Sequence, residues 1–280
     1  MQNDIDEITV GPVPCISNSA LIGSTGFVGT TLASQTEFSA FFSSGNMGEI
    51  AGRHFDRIVC AAAPAQKWIA NRDPESDLKN IQGLIANLKT VSCGNFILIS
   101  TVDVFSMPIG VDESTPVNQD GLHAYGLNRL FLEKFVESHF TNHLIVRLPG
   151  LVGPGLRKNV IFDFLNDNNL DLIDSRGLFQ FYPMVNLWYD VQVALRHGLT
   201  LVHLTAEPIL VADVARLAFN RMFDHKSTSS PAKYDMRTHY AALFGCAGDY
   251  QYSRRETLQA IRAYVQSEPR VKAAGEGAGR

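Results

Sequence analysis

Short apolar runs alternate with longer amphipathic stretches through the first half of the chain. The apolar runs cover residues 20–22, 38–42, 57–61, 95–100 and 143–148. Each run has the length of a β-strand, and the stretches between most of them are long enough for a crossover helix. An alternation of strand and helix is typical of a parallel sheet with helices on both faces. The pattern therefore predicts an α/β fold built on a doubly wound parallel sheet.

Two of the amphipathic stretches, residues 76–91 and 125–136, repeat their apolar residues at the spacing of one helix face. We expect each of these helices to pack a single apolar stripe on the sheet. Further helices are predicted at residues 211–219 and 255–265, in a part of the chain where the pattern is otherwise looser. The apolar positions of the first two stretches are Leu78, Ile81, Leu84, Ile85 and Leu88, and Leu127, Leu130, Phe131 and Phe135.

The looser pattern divides the chain into four parts. We interpret residues 19–155 as the core domain and residues 156–266 as a smaller substrate-side region interleaved with the last strands of the sheet. Residues 1–18 form an N-terminal extension. Residues 267–280, which end in a run rich in alanine and glycine, are expected to form a disordered tail.

Composition narrows the function classes. The chain has 280 residues, is 45% hydrophobic and carries a formal net charge of -4, so it lacks the basic field that drives binding to nucleic acid or anionic lipid. Its four cysteines form no C-x-x-C pair, which favours reduced thiols over a disulfide framework, and the histidines show no metal-ligand spacing. With no apolar leader and no membrane-length apolar stretch, we expect a cytoplasmic protein without a metal.

Three glycines, Gly23, Gly26 and Gly29, follow the first apolar run and precede a helix-compatible segment. Glycines at such a turn permit a tight bend and let backbone amides approach a diphosphate at a helix N-terminus. The spacing is G-x-x-G-x-x-G, and a glycine-rich loop without a ligand remains the alternative. Residues 42–46 contain no acid where a ribose-binding carboxylate is often found. Arg53 lies slightly further on and favours NADP, although a solvated surface arginine is equally consistent.

A phenol and a guanidinium, those of Tyr125 and Arg129, stand four residues apart on one predicted helix face. A nearby cation helps a tyrosine to act as acid or base at neutral pH. The apolar run that ends at Ser100 is followed by Thr101, at the strand end where ligands bind in open α/β sheets. A packed Tyr–Arg pair without catalytic function is the alternative.

Together these segments resemble the extended short-chain dehydrogenase/reductase superfamily, in the branch that modifies nucleotide-linked sugars. That branch contains epimerases, 4,6-dehydratases and 4-keto reductases. The resemblance covers residues 19–155 because its motifs occur there in the family's order. They are the Gly23/Gly26/Gly29 turn, Asp56-Arg-Ile-Val-Cys-Ala-Ala-Ala, Asn80-Ile-Gln-Gly83, Ser100-Thr101-Val-Asp-Val-Phe105, Tyr125-x-x-x-Arg129 and Arg147-Leu-Pro-Gly-Leu-Val-Gly-Pro154.

The resemblance implies a Rossmann-like fold, an NAD(P) cofactor and a nucleotide-sugar substrate. It makes Tyr125 the general acid/base, gives Thr101 the task of holding the reacting oxygen, and places Arg129 where the family has a lysine. Arg129 is expected to supply charge near the phenol and to reach the cofactor ribose. The implied cofactor contacts are Gly23, Thr25, Gly26, Phe27, Val28, Gly29, Ala61, Ala62 and Asn80, with Arg53 added for a 2'-phosphate.

Two departures from the family pattern restrict the reaction. Arginine is planar and wider than the lysine that it replaces at position 129. The 4,6-dehydratases have Asp-Glu directly after the threonine, whereas this chain has Val102 and Asp103, so dehydration is the least expected chemistry. We therefore predict an NAD(P)-dependent reductase or epimerase, with a catalytically impaired NAD(P)-binding sensor or scaffold as the alternative. The sequence leaves a homodimer open and does not identify the sugar.

Overall fold

The computed structural model describes residues 17–271. Six parallel strands form the central sheet in the order β10-β6-β4-β3-β1-β2. The strands are β1 (Ser19–Ile22), β2 (Ala40–Phe42), β3 (His54–Cys60), β4 (Ser92–Thr101), β5 (Ile109–Val111), β6 (His143–Leu148), β7 (Gly150–Val152), β8 (Leu178–Phe179), β9 (Phe181–Pro183), β10 (Leu201–His203), β11 (Ile209–Leu210) and β12 (Asp235–Met236).

Helices cover both faces of the sheet. The α-helices of the described residues are α1 (Phe27–Gln35), α2 (Lys67–Arg72), α3 (Pro74–Leu88), α4 (Ala124–His139), α5 (Val160–Asn166), α6 (Leu187–Arg196), α7 (Val211–Phe219) and α8 (Arg254–Ser267). One core cluster joins the sheet to α3 and α4, and a second joins the opposite face to α1 and α6. Burial on both faces explains why the strands read as continuous apolar runs. The predicted doubly wound α/β fold is confirmed.

Local signals account for the helix boundaries that differ from the predicted ones. Helix α3 begins at Pro74, before the predicted residue 76, because the Asp73 side chain caps the helix by accepting from the Ser76 N–H at 3.1 Å. Helix α4 starts after His123, whose Nδ1 accepts from the Gly126 N–H at 3.0 Å. Helix α7 has the bounds that the periodicity predicts.

The C-terminal part of the chain joins the sheet and also has a core of its own. Strand β10 pairs with β6 at one edge of the sheet, while α5, α7 and α8 enclose a separate apolar cluster. Of the N-terminal extension, only residues 17 and 18 lie within the described part of the chain, and of the tail only residues 267–271. The division near residue 155 stays a prediction.

Candidate active site

Two of the three glycines are required by the backbone of the turn after β1. Gly23 has φ +85°, and a Cβ there would lie 2.5 Å from the carbonyl oxygen of Ala61. A Cβ on Gly29 would lie 2.1 Å from the carbonyl oxygen of Gly23. At Gly26 the only contact would be with the Gly23 oxygen at 3.5 Å, an ordinary van der Waals distance. The turn is therefore closed on its inner side and open above Gly26. Ala62 lies beside Gly23, since a Cβ on Gly23 would be 2.7 Å from the Ala62 Cα.

The open side of this turn has free hydrogen-bond donors. Gly26 is the N-cap of α1 and has no side chain that could accept from the first turn of the helix. The N–H groups of Phe27, Val28 and Gly29 thus lack the partners that an N-cap side chain normally supplies. Thr25 is exposed at the rim. Such a helix N-terminus is suited to an anion.

Tyr125 and Thr101 lie together at the same edge of the sheet. Thr101 ends β4, and Tyr125 lies in the first turn of α4, where its N–H donates to Asn71 Oδ1 at 3.0 Å. Burial is the largest influence on the phenol and raises its pKa, while the charge of Arg129 and the nearby Thr101 hydroxyl lower that pKa without reversing the shift. The phenol is therefore predominantly protonated at neutral pH.

Arg129 is buried below the tyrosine and committed to partners within the protein. Its Cζ lies 4.0 Å from the centre of the Tyr125 ring. One terminal nitrogen donates to Asp77 Oδ2 and the other to the carbonyl oxygen of Pro64. Asn128 donates to the same Asp77 oxygen at 2.8 Å. The predicted charge beside the phenol is present, whereas contact between Arg129 and a ribose stays a prediction because both terminal nitrogens have other acceptors.

Three ionisable side chains that contact one another, those of Lys67, Asp103 and Tyr234, lie near Tyr125. The Lys67 ammonium lies 2.8 Å from Asp103 Oδ1 and 3.2 Å from the Tyr234 hydroxyl, which donates to the same Asp103 oxygen at 3.1 Å. Lys67 and Asp103 are both close enough to Tyr125 to act on its pKa, in opposite directions. These three side chains therefore belong to the candidate site.

Buried polar contacts of Glu133 join α4 to the neighbouring strands β4 and β6. Glu133 accepts from Arg147 at 3.1 Å and 2.7 Å through its two oxygens, and it also accepts from the hydroxyl of Ser100. Ser100 precedes Thr101, and Glu133 lies eight residues after Tyr125 on the same helix. The Ser100–Glu133 hydrogen bond thus joins the strand that carries the Thr101 hydroxyl to the helix that carries the phenol, and the ion pair joins that helix to β6.

The two remaining predicted contacts, Arg53 and Asn80, are less closely tied to the turn. Arg53 precedes β3, and its Cζ lies 5.4 Å from the centre of the Phe42 ring at the end of β2. Asn80 is exposed on α3, one turn after Asp77. Their roles as cofactor contacts stay predictions.

Within residues 17–271 no cluster of three histidine, cysteine or acidic side chains has a geometry suited to a metal ion. The helices of that part of the chain are also too short or too polar to span a membrane.

Comparison with known proteins relates this arrangement to a group of enzymes through structure alone. No protein family model and no curated protein matches the chain. A dTDP-4-dehydrorhamnose reductase from Clostridium acetobutylicum has a TM-score of 0.67 at 17% identity, over 89% of this chain and 98% of that chain. A dTDP-4-dehydrorhamnose reductase from Bacillus anthracis, solved with NADP, has a TM-score of 0.69 at 13% identity, over 90% and 100%.

A UDP-glucose 4-epimerase from Thermotoga maritima, solved with UDP-glucose, has a TM-score of 0.66 at 12% identity, over 89% of this chain and 97% of that chain. At such identities the likeness is one of fold. The chain therefore shares its fold with these two reductases and this epimerase, and the predicted Rossmann-like α/β fold is confirmed.

Proposed function

We propose that the protein is an NAD(P)-dependent reductase or epimerase that acts on a nucleotide-linked sugar, with Tyr125 as its acid/base. The observation that carries the proposal is the placement of three features at one edge of the sheet. These are the uncapped glycine turn, the phenol beside the Thr101 hydroxyl, and the Arg129 guanidinium against the phenol ring. The solved structures of similar fold include complexes with NADP, with UDP-glucose, and with UDP-glucuronic acid and NAD, which supports both ligand classes.

Each residue has a task that follows from its position. When bound, the nicotinamide supplies or accepts the hydride. Thr101 holds the reacting sugar oxygen by a hydrogen bond, and the Tyr125 phenol exchanges a proton with that oxygen. Arg129 favours the phenolate, and burial opposes it. The backbone N–H groups of residues 27–29 hold the diphosphate.

NADP is the preferred form of the cofactor. Residues 42–46, which follow the inner part of β2, contain no carboxylate that would repel a 2'-phosphate. The Arg53 guanidinium lies beside the Phe42 ring, and Phe42 directly precedes Ser43 and Ser44. A cation and two hydroxyl groups at the end of this strand favour a 2'-phosphate over a bare ribose. A cytoplasmic location and a homodimer complete the proposal.

A sensor or scaffold that binds the cofactor without turnover is the second candidate. The ion pair between Arg129 and Asp77 favours it, because a guanidinium neutralised by a buried carboxylate activates the phenol less than an unpaired cation.

The deciding experiment measures hydride transfer and cofactor binding in the same preparation. NADPH and NADH are titrated by fluorescence, and their oxidation is followed with 4-keto nucleotide-sugars, while UDP-glucose is assayed for conversion to UDP-galactose. An enzyme turns over at least one substrate and loses that activity in Tyr125→Phe with cofactor affinity retained. Tight binding with no turnover of any substrate decides for the sensor. Absence of NAD(P)H binding contradicts both candidates.

A further inference from the structure

The ammonium group of Lys158 joins two loops beside the candidate site. Lys158 lies between β7 and α5, and its Nζ donates to the carbonyl oxygen of Ala65 in the loop after β3. The neighbouring carbonyl, that of Pro64, accepts from Arg129. Two cations from different parts of the chain therefore hold adjacent peptides of one loop.

The two cations differ in how their charge is balanced. Arg129 is 2% exposed and paired with the buried carboxylate of Asp77. Lys158 is exposed, and in residues 17–271 it forms no ion pair with a carboxylate. Partial burial and the charge of Arg129 lower its pKa, and the charge of Asp103 opposes that shift without reversing it. A charged or hydroxyl oxygen that replaced the Ala65 carbonyl would stabilise the ammonium.

The chain segment that carries Lys158 also approaches the glycine turn. The segment that leads to Lys158 packs near the turn, because a Cβ on Gly155 would lie 3.9 Å from the Phe27 ring. Arg129 contacts the Tyr125 ring. Lys158 therefore follows a segment that packs on the glycine turn, and it lies close enough to Arg129 for that charge to act on its pKa.

We propose that Lys158 is a nucleotide-binding residue whose ammonium leaves the Ala65 carbonyl and donates to the diphosphate or ribose oxygens of a bound nucleotide. The inference rests on the proposed function, since that function supplies the nucleotide. A dinucleotide and a nucleotide-sugar both have diphosphate and ribose oxygens, and the experiment distinguishes the two ligands.

Binding is measured with NADPH by fluorescence and with UDP by calorimetry, for the wild type and for Lys158→Met. Affinity for the nucleotide that Lys158 contacts should fall by about 10- to 100-fold, the effect of losing one charge-assisted hydrogen bond. Lys158→Arg should keep most of the affinity. Arg157→Met removes an exposed cation next to it in sequence and should change affinity by less than about twofold.

Loss of affinity for NADPH alone assigns Lys158 to the dinucleotide, and loss for UDP alone assigns it to the nucleotide-sugar. Unchanged affinity for both in a folded variant overturns the inference and leaves the proposed function intact. Wild-type protein that binds neither ligand contradicts the proposed function and the inference with it. Lys158→Gln, which keeps a donor for Ala65, repeats the test if the methionine variant does not fold.

Discussion

Replacing Gly26 with aspartate should remove dinucleotide binding and leave the fold intact. Gly26 has φ -78° and ψ 166°, which any residue adopts, and its Cβ would meet only the Gly23 oxygen at 3.5 Å. Aspartate is a better N-cap than glycine by a few tenths of a kcal/mol, roughly. We therefore expect the free energy of unfolding to match or slightly exceed that of the wild type.

The same carboxylate should act against a diphosphate in two ways. Two unit charges 4 Å apart repel by about 1 kcal/mol in water, so a diphosphate with two charges is opposed by about 2 kcal/mol. The carboxylate also accepts from the N–H of Val28 or Gly29 and removes donors that the ligand would use. The repulsion alone weakens binding by about 30-fold.

The assay is a fluorescence titration with NADPH, beside a thermal melt that reports folding. Gly26→Asn is the matched control because asparagine caps the helix equally well and adds the same bulk without charge. Its affinity should lie between those of the wild type and Gly26→Asp. Wild-type affinity in a folded Gly26→Asp protein would refute the assignment of the diphosphate to this turn.

Three sets of substitutions test the site and a buried carboxylate of α6, Asp190. Thr101→Ala should lower kcat by about 100-fold or more, since it removes a hydrogen bond to the reacting oxygen. Asp103→Asn should lower kcat much less. A larger loss of kcat in Asp103→Asn, in the same kinetic assay, would favour dehydration. Arg129→Met leaves a buried carboxylate unpaired and should lower the free energy of unfolding by about 3 kcal/mol in urea titration, and should raise the apparent pKa of the phenol in the pH–rate profile; an unchanged profile would remove Arg129 from the chemistry. The third set is at Asp190, where burial raises the pKa to about 6, so the folded state holds a proton that the unfolded state releases and stability falls as pH rises toward that value. The wild type should lose about 1 kcal/mol relative to Asp190→Asn between pH 5 and pH 7 by urea unfolding, and equal pH dependence would contradict this.

The strands of the sheet were predictable because their burial on both faces demands unbroken apolar runs. Strand β4 illustrates this, since Phe96–Ile99 are buried and read as one continuous run. Strand β10 was not predicted because it has only three residues, Leu201–His203, and so short a run cannot be distinguished from a loop by its hydrophobic pattern. Its place beside β6 is decided by packing of distant segments.

The motifs predicted which residues form the candidate site but not their partners. Arg129 donates to the carbonyl oxygen of Pro64, which is 65 residues away in the sequence. Tyr234 donates to Asp103, which is 131 residues away. No local spacing encodes such contacts. Of these partners, Asp77 could have been predicted from the sequence. It occupies a position on the apolar stripe of α3, and an acid at such a position is expected to have a buried partner.

The protonation state of Tyr125 bears on the direction of the reaction. Reduction of a carbonyl needs the phenol to begin as a proton donor, whereas oxidation of a hydroxyl needs it to begin as phenolate. Burial raises the pKa of this phenol, and Asp103 adds to that effect, while Arg129 is partly neutralised by Asp77 and only partly offsets it. The proton-donating form therefore dominates at neutral pH. Carbonyl reduction can start from that form directly, whereas epimerisation by oxidation and reduction must first ionise the phenol, for which the only nearby help from Arg129 is a charge already paired with Asp77.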